Sequence, residues 1–323
     1  MKRTFSKTLA TLFLCATCLT ACAGTNQKVS FSDYWRADSI SKQDLTETLE
    51  YEVKYESNNI ASAYTLNYTN GKYVTQLSSA TESDGRKIYI YKTELTITAT
   101  YIFNGEIAEC NDTVKTEVKF EQGSALRPIY SRKEIKSSSP TESLSGEPMQ
   151  LSQCFNEYDY TIETTYSGNA GAGSSKVTLN GEEPNTSEDS FTLDTEKYTY
   201  LDNEQLLFAL RGIRASASTA STFMVYSPFA KTGQKVKATF SAKEGTEFSF
   251  LRDGVAVKET IEYFPTSIVL DSKNPGATQT AWYAATTNAQ DNTYRNVMLR
   301  LETPVSYSHG TLIYTLKSAN FAK

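Results

Sequence analysis

Residues 49–56 read Leu-Glu-Tyr-Glu-Val-Lys-Tyr-Glu, an uninterrupted alternation of apolar and charged side chains. Successive side chains of a β-strand point to opposite faces of the sheet, so this stretch predicts a strand with one face in the core and the other in water. The same period of two returns in residues 95–103 and 114–121. Antiparallel sheets that are wet on one face have this pattern, and we expect a mainly β chain built from them.

Three pairs of residues predict tight hairpins beside such runs: Asn70-Gly71, Asn104-Gly105 and Asp253-Gly254. Asn, Asp and Gly accept the positive φ angles that two-residue hairpin turns require. Further alternating runs continue to residue 317. Strands joined by hairpins are neighbours in the sheet as well as in the sequence, which predicts an antiparallel order.

One segment, residues 202–214, lacks the alternation and predicts a helix. Asp202 can cap its amide end, and Leu206, Leu210 and Ile213 recur at the spacing of one helical face. A helix with a single apolar face buries that face against another element. We therefore expect this helix to pack on the sheet.

The composition excludes several classes of protein. The chain has 323 residues, 39% of them hydrophobic and 21% charged, so it can bury a core but is too polar for a polytopic membrane protein. Its formal charge is −5 and its mean hydropathy −0.44. These values predict a water-soluble body with no affinity for nucleic acid.

The first residues have the form of an export signal. Lys2, Arg3 and Lys7 precede a mostly apolar stretch that is too short to span the hydrocarbon core of a bilayer. The stretch leads into Leu19-Thr20-Ala21-Cys22, which resembles the lipobox of bacterial envelope lipoproteins. The resemblance implies that residues 1–21 are a signal peptide and that the Cys22 thiol receives a lipid before the chain is cut in front of it.

This resemblance also predicts a division of the chain. Residues 22–44 would form a lipidated N-terminus and tether, and residues 45–323 a β-rich domain, either whole or as two related halves, 45–190 and 191–323. Removal of residues 1–21 takes away three cations and changes the formal charge from −5 to −8. Broad attraction of the body to anionic lipid is therefore not expected.

The predicted location is the cell envelope, outside the cytoplasm, with the lipid as the membrane anchor. An inner, an outer and a single membrane stay open as alternatives, and so does the oligomeric state. Within the tether, Phe31, Tyr34 and Trp35 are more aromatic than a free linker requires. We expect this part to dock onto the body or to form a short helix.

Two cysteines remain after such processing, Cys110 and Cys154. A disulfide between them would close a loop of about 45 residues and stabilise an exported protein by roughly 3–4 kcal/mol in the chain-entropy model. Two unpaired thiols are the alternative, because sequence gives no Cα separation. Neither cysteine has a neighbouring histidine, and no metal site is predicted.

Motifs that would indicate catalysis are incomplete. The glycines of residues 168–175 have the spacing of a phosphate loop, but Ser174 stands where that loop needs a lysine. The single histidine, His309, lies in a predicted turn, where no motif supplies a nucleophile. A hydrolase with a carboxylate pair is the least favoured alternative. We expect a protein that is not an enzyme and uses no cofactor.

From about residue 197 to residue 321, the order of elements resembles envelope proteins of the lipoprotein-carrier class. The resemblance rests on the predicted helix, the strand pairs around residues 235–250, the Trp282-Tyr283 strand and the closing run 310–316. Proteins of that class have curved antiparallel sheets of the open half-barrel type, with helices on the concave side. The resemblance implies that fold here, with an apolar groove between sheet and helix.

Four residues are candidates for lining such a groove: Leu206 and Leu210 on the helix, and Trp282 and Tyr283, which point to opposite faces of one strand. The leading hypothesis is a membrane-anchored protein that binds a lipid or another apolar or amphipathic ligand in the groove. The alternative is a surface module that binds a glycan or a protein through exposed aromatic side chains.

Overall fold

The computed structural model describes residues 28–32, 35, 46–58, 63–142, 150–168, 171–181, 184–271, 278–285 and 293–321. Cys22, with the predicted signal peptide, lies outside these residues. The described part contains sixteen β-strands: β1 Thr46–Ser57, β2 Thr65–Thr81, β3 Lys87–Phe103, β4 Glu106–Glu121, β5 Pro128–Pro140, β6 Phe155–Ser167, β7 Ala172–Leu179, β8 Asn185–Thr192, β9 Thr199–Tyr200, β10 Ala220–Ser227, β11 Thr232–Phe240, β12 Glu244–Arg252, β13 Val255–Asp271, β14 Gln279–Ala284, β15 Met298–Pro304 and β16 Gly310–Phe321.

The alternation in the sequence sets the burial of each strand. In β1, Leu49, Tyr51 and Val53 are buried, while the residues between them are partly or fully accessible. Asn104-Gly105 and Asp253-Gly254 form the predicted hairpin turns with positive φ at both positions. These turns join β3 to β4 and β12 to β13.

The Asn70-Gly71 prediction was wrong, because this pair lies inside β2 rather than between two strands. The register of β2 against β3 shifts between Thr69 and Lys72, which makes the pair a β-bulge. Asn70 has φ 55°, and a Cβ on Gly71 would lie 2.7 Å from the Cβ of Val53. A β-bulge and a hairpin turn both use positive φ and a residue without a side chain, so the local sequence does not distinguish a bulge from a turn.

The strands form one continuous sheet in the order β8-β7-β6-β5-β4-β3-β2-β1-β16-β15-β14-β13-β11-β10-β9. All pairs along this path are antiparallel except β9 with β10. The first strand pairs with the last, from Glu47 opposite Phe321 to Ser57 opposite Gly310. The two predicted halves of the domain are therefore joined by a backbone ladder.

Strand β12 lies off this path and closes a barrel. It pairs antiparallel with β13, and its residues Leu251 and Arg252 pair in parallel with Ser318 and Ala319 of β16. Because β13, β14, β15 and β16 are already paired in that order, the contacts complete a five-stranded ring. The other strands lie outside it. The mainly β class with curved antiparallel sheets is thus confirmed, and the ring is a closure that the sequence did not predict.

The large sheet also curves until its two end regions meet through side chains. Phe191 of β8 stacks on Tyr226 of β10 with ring centroids 3.9 Å apart, and the Tyr226 hydroxyl donates to Asp189 at 2.6 Å. Lys231, in the turn between β10 and β11, donates to the Ser187 hydroxyl at 3.0 Å. Strand β8 therefore contacts the β10–β11 hairpin through side chains.

The predicted helix is present as three short pieces that together span residues 203–212. A 3-10 turn, Asn203–Gln205, leads into the α-helix α1, Leu206–Ala209, and a second 3-10 turn, Leu210–Gly212, ends the segment. We call residues 203–212 the helical segment. Its apolar side chains join the core together with residues from β1, β3, β10 and β14, so the segment fills the concave side of the sheet.

A buried carboxyl group fixes the start of the helical segment. At the start, Asp202 caps the Glu204 amide at 2.8 Å and accepts hydrogen bonds from the Ser131 hydroxyl at 2.6 Å and the Tyr166 hydroxyl at 2.8 Å. Burial raises the pKa of Asp202 above its ordinary value. The two hydroxyl donors attach this end to β5 and β6.

Part of the predicted tether docks onto the body. The Val29 amide donates to the Thr199 hydroxyl at 2.8 Å, and the Ser32 amide donates to the Gly212 carbonyl at 2.8 Å. Phe31 and Trp35 are buried in the core, and Trp35 lies 4.8 Å from Phe208 between ring centroids. We call residues 28–32 and 35 the docked segment; Tyr34 lies outside the described residues.

Candidate ligand-binding pocket

A pocket of ≈ 320 Å³ opens where the helical segment ends, and we call it the helix-end pocket. Its walls come from residues 213–216 after the helical segment and from β11, β13 and β14. The apolar lining consists of Leu210, Ile213, Ala215, Phe240, Phe264, Tyr283, Ala284 and Ala285, and the polar lining of Arg214, Ser216, Lys243 and Asn296. An apolar wall with a few polar groups is typical of small-molecule sites.

The local sequence explains how the apolar floor forms. Leu210 and Ile213 lie on the same face at the end of the helical segment, and both are buried. Tyr283 reaches them from β14, and its hydroxyl donates to the Leu207 carbonyl at 2.9 Å. Burial raises the pKa of Tyr283 well above its ordinary value, so the hydroxyl stays a neutral donor. The tyrosine is therefore a fixed wall of the pocket.

A buried ion pair holds the end of the helical segment beside the pocket. Arg211 donates to the two carboxylate oxygens of Glu47 at 2.5 and 2.8 Å, and both side chains are almost fully buried. Arg211 also donates to the Arg295 carbonyl at 2.8 Å. Burial alone would lower the pKa of Arg211, but Glu47 outweighs it and the pKa is raised. This bidentate pair ties the segment to β1.

Asn296 is the buried polar side chain of the pocket, with 8% of its surface exposed. Its Nδ2 donates to the Arg211 carbonyl at 2.9 Å. Because that carbonyl can only accept, this bond fixes which end of the amide is nitrogen. The Oδ1 atom is buried and has no hydrogen-bond partner among the described residues. An acceptor in this state is costly unless something donates to it.

Two cations lie at the rim. Arg214 is exposed and makes no ion pair within the described residues. Lys243 lies 2.7 Å from a carboxylate oxygen of Glu262, and both side chains are partly exposed. The rim therefore has one cation that is free to meet an anionic group and a second that is shared with a carboxylate.

The four predicted groove residues do not all meet here. Leu210 and Tyr283 line the helix-end pocket, whereas Leu206 is buried elsewhere in the core. Trp282 points to the opposite face of β14, as the alternation predicted. Its ring stacks on Tyr263 of β13 at 4.5 Å, and the Arg300 guanidinium of β15 lies 5.0 Å from its centroid. Contacts from both neighbouring strands leave the indole partly buried, whereas the glycan-binding alternative requires an exposed aromatic side chain.

Cys110 and Cys154 share one apolar cluster but do not form a disulfide in the structure. Cys154 is buried and Cys110 is partly buried, and both are free thiols. Burial raises the pKa of each thiol, so neither is an activated nucleophile. The prediction of a bridge is not confirmed, and the alternative of two free thiols is the state observed.

Sequence reasoning missed most of the pocket lining, including Phe240, Phe264 and Asn296. Phe240 belongs to an alternating strand and carries only the signal of a core residue. Asn296 lies in a turn with positive φ, 48°, which accounts for an asparagine without pointing to a site. The exposed Arg214 at the end of the predicted helix is the one residue whose position could have suggested a rim.

A second cavity, of ≈ 630 Å³, lies where β4 and β5 separate beyond the pair Thr113–Lys136. There Asp112 accepts hydrogen bonds from the Ser138 amide at 2.8 Å and the Ser138 hydroxyl at 3.2 Å. Burial raises the pKa of Asp112 to about 6. The serine contacts satisfy the carboxylate and bridge the split between the strands.

The described residues contain no group of three or more His, Cys, Asp or Glu side chains arranged to hold a metal ion. Within the same part of the chain, no helix has both the length and the apolar character needed to cross a membrane.

No protein family and no curated protein matches this chain. A solved structure that resembles it is the beta-barrel-like protein of domain of unknown function DUF1849 from Brucella abortus, with a TM-score of 0.50 and 9% sequence identity. The match covers 87% of this chain and 99% of that chain. At this identity the likeness concerns the fold alone, and the fold it shows is barrel-like.

Proposed function

We propose that this chain is a lipid-anchored envelope protein that binds the apolar part of an amphipathic ligand in the helix-end pocket. The observation that supports this is the pocket itself, with an apolar floor and a cationic rim. Its volume of ≈ 320 Å³ is at the lower end of the range of small-molecule sites. A space of this size suits one acyl chain or one compact ring system. A barrel-like fold is compatible with such a site.

The proposed anchor is Cys22, from the likeness of residues 19–22 to a lipobox. Five residues, 23–27, separate Cys22 from Lys28, the first residue of the docked segment, and the six Cα–Cα steps reach at most about 20 Å when extended. Acylation of Cys22 would therefore keep the docked segment close to the lipid headgroups. Since Ser32 is bonded to Gly212, the end of the helical segment would be held near the membrane as well.

The pocket is tested with dansyl-undecanoic acid, whose fluorescence rises in an apolar site. The protein is the unacylated chain from residue 23 onward, which keeps every described residue. We expect Phe264→Glu, which places a charge in the pocket wall, to weaken the binding of the probe at least tenfold. The matched control is Phe229→Glu, because Phe229 is exposed and lies outside the pocket. Equal affinities of the two variants, or no binding to the wild type, would contradict the proposal.

The anchor is tested separately by labelling the full-length protein with palmitate in a bacterial host. We expect the wild type to incorporate label and to begin at Cys22, and Cys22→Ser to incorporate none. An unlabelled wild type that keeps residues 1–21 would remove the anchor from the proposal. The pocket would be unaffected by that result, since it is formed by residues after position 209.

A further inference from the structure

We propose that the ligand of the helix-end pocket is an acyl chain whose head carries a hydrogen-bond donor next to a carboxylate, as in N-acyl amino acids. The inference rests on the proposed function and narrows its ligand class. It comes from one buried acceptor and one exposed cation that lie at the same pocket, Asn296 and Arg214.

The donor is inferred from Asn296. Its Oδ1 is buried without a partner in the described residues, and its Nδ2 is already used by the Arg211 carbonyl. Turning the Asn296 amide over would lose this bond and bring two acceptor oxygens together, because the Arg211 carbonyl can only accept. An unpaired buried oxygen accepts only from an N–H or O–H group. A ligand with such a donor gains affinity that a simple fatty acid lacks.

The carboxylate is inferred from the rim. Arg214 follows directly on Ile213, which lines the apolar floor, and its guanidinium is exposed with no ion pair in the described part of the chain. Arginine binds carboxylates through two parallel hydrogen bonds. Lys243 adds a second positive charge that it shares with Glu262. A head with a donor followed by a carboxylate would meet Asn296 first and Arg214 at the mouth.

The acyl chain is inferred from the apolar residues of the lining. Leu210, Ile213, Phe240, Phe264 and Tyr283 are the large apolar side chains of the lining. At ≈ 320 Å³ the space takes one chain and excludes a lipid with two. The same donor and carboxylate occur in N-acyl amino acids and in hydroxylated fatty acids, and the experiment separates these two sources.

The experiment is displacement of dansyl-undecanoic acid from the unacylated chain by matched competitors. N-lauroylglycine has an amide N–H and a carboxylate, whereas N-lauroylsarcosine is the same molecule with the N–H methylated. We expect N-lauroylglycine to bind about tenfold more tightly, as the gain of one buried hydrogen bond predicts. A comparison of hydroxylauric acid with lauric acid tests the second source, the hydroxylated fatty acids. Equal affinities within both pairs would overturn the inference and leave the proposed function standing.

Variants test each contact from the protein side. Asn296→Leu should reduce the roughly tenfold preference for N-lauroylglycine over N-lauroylsarcosine to a ratio near one. Arg214→Gln should weaken all carboxylate ligands about threefold to tenfold and reduce the dependence of affinity on salt. Arg86→Gln is the control, since Arg86 is an exposed cation in another turn. If Asn296→Leu does not fold, the competitor pairs decide alone. If wild type binds no acyl probe, the proposed function itself has failed.

Discussion

Asp112 shows how the burial of one carboxyl group becomes a property that can be measured. Its pKa in the folded state is about 6, raised by burial from an ordinary value near 3.8. The folded state therefore binds the proton more tightly than the unfolded state. The stabilisation of the folded state by this tighter proton binding is fully present below pH about 4 and is lost as pH rises through about 6.

We expect Asp112→Asn to remove this pH dependence. Urea unfolding of both proteins at pH 4 and pH 7 measures this. From pH 4 to pH 7 the free energy of unfolding of the wild type should fall by about 1–2 kcal/mol relative to that of the variant, after allowance for solvent screening. Glu109→Gln is the control, because Glu109 is exposed on the same strand. A constant difference between Asp112→Asn and wild type across this range would contradict the assignment.

Gly71 is the second residue for which the contacts predict a specific cost. A Cβ at this position would meet the carbonyl oxygen and the Cβ of Val53, both on the central strand β1. We expect Gly71→Ala to lower the free energy of unfolding by about 1–3 kcal/mol. In Gly245→Ala the new Cβ would lie 3.5 Å from Thr260, and the change should stay within about 0.5 kcal/mol. Thermal or urea unfolding would distinguish them, and equal stabilities would be inconsistent with a tight bulge.

Among the elements, the helical segment depends on the ion pair between Glu47 and Arg211. Glu47→Gln leaves the Arg211 charge buried without its partner, and we expect the free energy of unfolding to fall by about 3–5 kcal/mol. The double variant Glu47→Leu with Arg211→Met removes both charges and should recover most of the loss. Urea unfolding of the three proteins tests this. A double variant no more stable than Glu47→Gln would mean that the pair acts through something other than its charges.

The same scale shows what could be predicted from the sequence. Alternation in residues 49–56 predicts β1, and the end-cap and stripe of residues 202–213 predict the helical segment, because both signals are local. The ring closed by Leu251 against Ser318 is not local, since it depends on how far the β12–β13 hairpin folds over. The helix-end pocket has the same origin. Asn296 and Phe264 become neighbours of Leu210 only when the sheet has curved.

At the scale of the whole molecule, the continuous sheet suggests that the two predicted halves unfold together. The chain has two tryptophans: Trp35 packs on the helical segment and Trp282 lies in the five-stranded ring. In Trp282→Phe the fluorescence reports on Trp35 alone, and in Trp35→Phe on Trp282 alone. For each variant we expect the fluorescence midpoint in urea to coincide with its far-UV circular dichroism midpoint. Separate midpoints in either variant would indicate two independent units.

The pairing of β1 with β16 also constrains how the protein can be made. Glu47 pairs with Phe321, so this central ladder cannot form until synthesis has reached residue 321. Such distant pairing slows folding and leaves strand edges open in the meantime. Until the twelve residues of β16 are available, the β1 edge that they cover stays open to pairing with other chains.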